Sequence, residues 1–312
     1  MNTSAKIMVA YYKDEQLPNC NVWPSDIFEA WDVRFNLDSR LLEYDLLKKM
    51  QSEGIMSNNK YSGLMSHSAF DKLAMSPEYV RAQIQDGIDK DVDAILINPA
   101  IACNAFFKNG IEQAQLIGQD KIEYIFKQLG FNEITKVNLP YYTFVMCTYI
   151  IAKESFWKKY FKIVDSLLGV AETAGRMDIE FAKAYYGHAN YRARENDYDY
   201  RPFMIERIPQ LMLSTANYKI KYIESTKEVF AKKFGRMAKA IYAMYELKKK
   251  CYQSEEANTI WENTRKQFVT NQALLYRKVT IGEFWRTKQQ EKLNLEYYKD
   301  DQLLNEPMRS ST

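Results

Sequence analysis

Glycine-rich phosphate loops are missing from this sequence. Neither GxGxxG nor GxxxxGKS occurs among its 11 glycines, so P-loop and ordinary dinucleotide-binding readings lose their main support. Histidine is scarce: only His67 and His188 occur. Cys20, Cys103, Cys147 and Cys251 stand far apart, with no CxxC pair. A structural zinc site is therefore not expected, and free thiols fit a reducing cytoplasm. No apolar run approaches the ~20 residues of a membrane-spanning helix. The amino terminus lacks the basic-then-apolar pattern of a signal peptide. The expected location is cytoplasmic, at most peripheral to the inner face of a membrane. Net charge is only +3, so overall balance demands no nucleic acid.

What the chain does have is aromatic residues, 14% of the total. Such rings suit sugar or base stacking, although most belong to a core. The most informative stretch is Asp91-Val92-Asp93-Ala94-Ile95-Leu96-Ile97-Asn98-Pro99. Its short, β-branched apolar run reads as a strand buried on both faces of a mainly parallel sheet. Asn98-Pro99 ends it, because proline gives no N–H to a ladder. Ligands of open α/β sheets sit outside the carboxyl ends of such strands. Asn98 through Gln113 are thus site candidates, beside the plainer reading of a turn.

Lys6–Tyr12 reads as a first strand running into a polar loop, and Tyr61–Ser66 as another. Leu41, Leu42, Leu46, Leu47 and Met50 have helical spacing. Ser76-Pro77-Glu78 is a helix start, with serine at the cap and proline in the first turn. A helix is expected from Gly110 to Leu129, a strand within Tyr141–Ile151, and a helix from Lys153 carrying Trp157, Tyr160 and Phe161. Strand and helix alternate, which argues for an α/β sandwich. Asn190–Tyr200 is polar, aromatic and aperiodic, like a surface loop. From about Glu224 helix formers dominate, with basic residues around an apolar stripe. The expected division is a catalytic domain over 1–222, a helical region over 223–290 and a polar tail over 291–312.

Four stretches in this order resemble the GT-A-like glycosyltransferases of bacterial capsule and surface-polysaccharide gene clusters. They are Tyr61-Ser62-Gly63-Leu64-Met65-Ser66-His67; Asp93 to Pro99 with Phe106 to Gln113; Cys147 to Trp157; and Pro202-Phe203-Met204-Ile205-Glu206-Arg207. Together they span about two-thirds of the chain, and the carboxyl-terminal third is not covered. The resemblance implies a single Rossmann-type sandwich with a helical carboxyl-terminal extension. It also implies transfer of a sugar from a UDP- or GDP-sugar to a hydroxyl of a glycan or similar acceptor.

That chemistry needs a group to take the acceptor proton or stabilise oxocarbenium-like charge, and groups to stabilise the leaving diphosphate. Glu206 is the candidate base. Arg207, Arg201 and Lys13 are candidates for the diphosphate. Tyr11 and Tyr12 are placed to stack on the nucleotide base. Ser66 and His67 belong to the donor-binding set, and Asn98, Asn109, Glu112 and Gln113 are candidates for sugar hydroxyls. GT-A enzymes usually hold Mn²⁺ or Mg²⁺ with Asp-x-Asp at a strand end. Asp91-Val92-Asp93 lies before its strand and reads as a turn. Asp197 and Asp199 are the other candidate pair, unless basic residues replace the metal.

Plainer roles stand beside these: a surface ion pair for Glu206-Arg207, a turn position for His67, an exposed helix position for Gln113. The basic carboxyl-terminal helices are either a solvated face or a contact for anionic lipid headgroups. Two other functions stay open. One is a non-catalytic interaction protein on a degenerate glycosyltransferase fold. The other is a phage-type DNA-modifying glycosyltransferase, whose basic helices would meet phosphates.

Overall fold

The computed structural model describes residues 5–36, 39–116, 121–187, 189 and 198–271. The strands are β1 (Ala5–Tyr11), β2 (Phe28–Asp32), β3 (Tyr61–Ser66), β4 (Ala94–Ile97), β5 (Ile150–Ala152) and β6 (Ile220–Ile223). The helices are α1 (Leu17–Cys20), α2 (Glu43–Ser52), α3 (Ala69–Leu73), α4 (Pro77–Asp89), α5 (Ile101–Phe106), α6 (Gly110–Leu116) and α7 (Lys121–Gln128). They continue with α8 (Glu154–Met177), α9 (Ile179–Tyr185), α10 (Arg201–Thr215), α11 (Lys227–Phe234), α12 (Ala238–Lys250) and α13 (Glu255–Asn271). The chain divides into two compact units. One comprises residues 1–70, 76–98 and 107–223; the other comprises 71–75, 99–106 and 224–312.

The first unit is α/β, with a Rossmann-like mixed sheet in the order β2-β1-β3-β5-β4-β6. β1 lies parallel to β2 and β3, β4 lies parallel to β6, and β5 runs antiparallel between β3 and β4. All four residues of β4 are buried, as its unbroken apolar run dictates. Two glycines let backbones approach. A Cβ on Gly63 would lie 2.7 Å from the Ile150 carbonyl oxygen, so the β3–β5 pairing requires glycine there. A Cβ on Gly87 would meet Ile95 at 2.8 Å, so α4 seats on β4 only with glycine. Helix α4 begins as its sequence prescribes, with the Ser76 side chain accepting from the Tyr79 N–H. Helix α8 lays Phe156, Trp157, Tyr160, Phe161 and Val164 into the core. Its Trp157 indole donates to the Ser62 carbonyl at 3.0 Å.

At the amino end of β4, Asp91 and Asp93 pair with lysines. Asp91 has φ +51°. It meets Lys60 at 2.9 Å and Lys153 at 3.2 Å, while Asp93 accepts from the Lys219 N–H at 2.9 Å. These carboxylates fasten the sheet edge opposite the strands' carboxyl ends.

Several expectations need correction. The run 141–151 yields only the first two residues of β5, Ile150 and Ile151. Phe144, Val145 and Met146 are buried in a loop, and a short apolar run does not reveal whether burial comes with a ladder. Over the helix expected at 110–129 the described residues give α6 and α7, and 117–120 between them lie outside the described residues. The sheet also contains β2 and β6, which the sequence pattern did not show.

The second unit is helical among its described residues. The fully buried Trp261 donates to the Ala105 carbonyl at 2.8 Å. Its ring lies under two cations, Lys248 at 4.1 Å and Arg265 at 4.8 Å, an arrangement that desolvation strengthens. Much of the basic stripe turns inward or is paired: Lys233 and Lys248 are buried, Lys233 donates to the Pro99 carbonyl, and Lys232 pairs with Glu228. No helix among the described residues is long and apolar enough to cross a membrane.

Candidate functional site

Because β5 runs against its neighbours, its amino end shares an edge with the carboxyl ends of β1, β3 and β4. The connections from β1 and β3 also leave in opposite directions across the sheet: β1 leads to β2 on one side, and β3 leads to β4 on the other. Such a reversal opens a crevice between the two strand ends. A small cleft is found there, lined by Tyr12, Glu43, Leu46, Ser66, Cys147 and Tyr149 among others.

Each wall has a local cause. The Tyr12 and Lys13 N–H groups both donate to the Gln16 side chain, at 2.7 and 3.2 Å, which shapes the loop after β1. The His67 N–H donates to the Ala10 carbonyl at 2.8 Å. The rings of Tyr12 and His67 then meet edge to face, 6.5 Å apart. Ser66 hydrogen-bonds Ser68 and the Tyr149 phenol. Cys147 and Thr148 carry φ of +61° and +51°. Left-handed backbone is costly for a β-branched residue such as Thr148. Glu206 secures the turn, its Oε1 accepting from the Cys147 N–H at 2.7 Å.

Glu206 is thus beside the site, but both of its oxygens serve the protein, since Oε2 accepts from Arg207. Arg207 is 1% exposed. Its guanidinium donates to the Gly110 carbonyl at 3.2 Å, the Phe203 carbonyl at 2.9 Å and Gln113 Oε1 at 2.9 Å. Arg207, expected at the diphosphate, is placed inside, where it joins α10 to the start of α6. Gln113, expected at a sugar hydroxyl, is also 1% exposed and is the partner of Arg207.

Asn109 and Glu112, expected at sugar hydroxyls, also make hydrogen bonds within the protein. Asn109 Oδ1 accepts from the Ile111 and Glu112 N–H groups at 3.0 and 2.9 Å. Its Nδ2 donates to the carbonyls of Ile134, Thr135 and Val137. Glu112 accepts from the Lys108 N–H at 2.6 Å. Asn-x-x-Glu is therefore a helix cap of the capping-box kind, a signal the sequence already carried.

Among the other candidates, Tyr11 is half-buried at the end of β1, Lys13 is exposed, and Asn98 is buried at the end of β4. Arg201 is committed to Asp199, with Nε and Nη2 at 2.9 and 2.6 Å from Oδ2 and its N–H on Oδ1 at 3.0 Å. That pairing raises the guanidinium pKa. The Asp199 carboxylate, one of the expected metal ligands, is thus paired with Arg201. Asp197 and His188 lie outside the described residues. No cluster of three or more potential ligands occurs among the described residues.

Glu43 is the residue the sequence reading missed. It begins α2 and lines the cleft, and it has no hydrogen-bond or ion-pair partner among the described residues. An acidic residue in a helix's first turn is ordinary, so only the fold reveals its place.

The chain matches no protein-family model, and no curated protein or solved structure is significantly similar to it.

Proposed function

We propose that this protein transfers a sugar from a nucleotide-sugar donor to an acceptor hydroxyl, on a fold of the GT-A type. The observation that carries the reading is the cleft at the reversal between β1 and β3, where the loops after both strands converge with the turn into β5. In this reading Tyr12 stacks on the nucleotide base, Ser66 and Tyr149 hydrogen-bond the donor, and the exposed Lys13 meets the diphosphate. The acceptor oxygen attacks the anomeric carbon. The bond to the diphosphate breaks, its electron pair leaves with the diphosphate, and the acceptor's hydroxyl proton passes to that leaving group. Glu206 holds the Cys147 turn in shape as a positioning residue. The reading includes no step through a metal ion.

The test is a thermal-shift panel of UDP, GDP, CMP, UDP-sugars and GDP-sugars, each with and without Mn²⁺. Stabilisation by one nucleotide class is expected. A ligand at 100 times its dissociation constant adds about 2.7 kcal/mol. No response from any ligand favours the second reading, a non-catalytic interaction protein. That alternative draws support from the interior commitment of Arg207, Gln113 and Asn109, and from the exposed Met177 and Ile179, at 84% and 71%.

A further inference from the structure

The cleft at the sheet's reversal is closed. It has about 10 Å³ of room, enough for one water molecule, whereas ligand pockets run to ~300–1,000 Å³. A nucleotide sugar enters only if a wall moves. Two walls adjoin strained backbone, and they are held in different ways. Leu42, directly before Glu43, has φ +52°. Side chains of its own loop clamp it on both sides: Ser39 Oγ accepts from its N–H at 2.9 Å, and Asn36 Nδ2 donates to its carbonyl at 3.2 Å.

The wall before β5 is built otherwise. Cys147, which lines the cleft, and Thr148 are left-handed in succession, with φ +61° and +51°. Neither is glycine and Thr148 is β-branched, so ordinary backbone is the lower-energy state for both. The turn is latched from a distant helix, where Glu206 of α10 accepts from the Cys147 N–H at 2.7 Å. That carboxylate keeps 20% side-chain exposure, so water can take the place of the N–H when the turn lets go. The flanking segments are fixed. Phe144, Val145 and Met146 are buried, and the Tyr149 carbonyl accepts from the Ile97 N–H of β4 at 3.0 Å. A change of state is thereby confined to two residues and leaves the sheet intact.

We propose that the Cys147–Thr148 turn is a gate, latched shut by Glu206, which relaxes to ordinary backbone to admit the donor. Relaxation moves the Cys147 side chain out of the cleft wall, and the bound donor then covers the opened turn. The inference rests on the donor-binding reading above and adds how the donor reaches its site. A ligand that binds only the open form is weakened in proportion to the open fraction lost. Cys147 reports on the gate, because the closed cleft is too small for a thiol reagent.

The experiment measures two quantities on the wild type, Thr148→Gly and Thr148→Val. One is the rate at which N-ethylmaleimide labels Cys147, located by peptide mapping, with the half-buried Cys251 as internal reference. The other is affinity for UDP-glucose and GDP-mannose by calorimetric titration. Glycine removes the cost of the left-handed state at position 148, a factor of about five to thirty in population. Thr148→Gly is expected to slow Cys147 labelling by that factor and to weaken binding equally, with Cys251 unchanged. Thr148→Val keeps the β-branch and the strain, and should match the wild type in both. Cys147 labelling that is as fast in Thr148→Gly as in the wild type overturns the proposal. Labelling that slows while affinity is unchanged means a turn that opens without admitting the donor; it also overturns the proposal and leaves the donor reading standing. If neither nucleotide sugar binds the wild type, the donor reading itself fails and the gate falls with it.

Discussion

Replacing Arg207 by alanine should cost far more than a surface ion pair is worth. The guanidinium is 1% exposed and binds Glu206, Gln113 and the carbonyls of Gly110 and Phe203. Its loss strands a partly buried carboxylate and a buried amide. Breaking a buried pair from one side costs about 3–5 kcal/mol. Glu206 retains 20% side-chain exposure, so some water reaches it and the lower end of that range is expected. Arg207→Lys should fall between alanine and wild type, because a point charge cannot reproduce the planar fork. Removing both charges in Glu206→Gln/Arg207→Met should recover at least about half of the alanine loss, since no charge is then left unpaired. Urea denaturation followed by circular dichroism measures all four proteins. An alanine variant within about 1 kcal/mol of wild type, the value of an exposed pair, would refute this account of α10.

Three further outcomes follow from particular contacts. Asn109→Ala removes a helix cap and the partner of three carbonyls, and should destabilise by about 2–4 kcal/mol in the same urea assay. Arg81 holds the Asp26 pKa below its ordinary value, Lys221 and Lys90 do so for Asp86, and Lys60 and Lys153 for Asp91. Each folded pKa is depressed, so each contribution is present above the unfolded value of ~3.9 and is lost as pH falls through the folded value. Melting temperature should therefore drop below about pH 4, and Asp91→Asn should flatten that drop. Burial pushes the Cys20 thiol up to about 11. Here the folded pKa is raised, so stability is complete below the unfolded value of ~8.5 and declines as pH rises toward the folded one. At pH 8 a thiol reagent should label Cys20 only on unfolding, and rapid labelling of Cys20 itself in the native chain, located by peptide mapping, would contradict its burial.

The sequence made the interior legible and left the edges obscure. β1, β3 and β4 were visible because the middle of a sheet demands apolar runs. β2 and β6 were not, because Phe-Glu-Ala-Trp-Asp and Ile-Lys-Tyr-Ile lie at the sheet's two edges and are only partly buried. Asn109 and Glu112 carry a readable cap signature, Asn-x-x-Glu at a helix start. Arg207 sits in Phe203-Met204-Ile205-Glu206-Arg207-Ile208, apolar on nearly every side of a helix, and that pattern marks a buried helix. Glu43 and the Cys147–Thr148 turn carried no local signal at all. The first is an ordinary first-turn acid and the second ends an apolar run. Both acquire meaning only when the antiparallel β5 brings its amino end to the shared sheet edge.

Hydrogen–deuterium exchange, with and without the nucleotide sugar that stabilises the chain most, tests the location of the donor site directly. Exchange should slow in peptides covering residues 11–16, 65–68 and 145–149, the walls of the cleft, and stay unchanged in α12. Slowing elsewhere, with these three segments unaffected in the bound protein, would contradict the account.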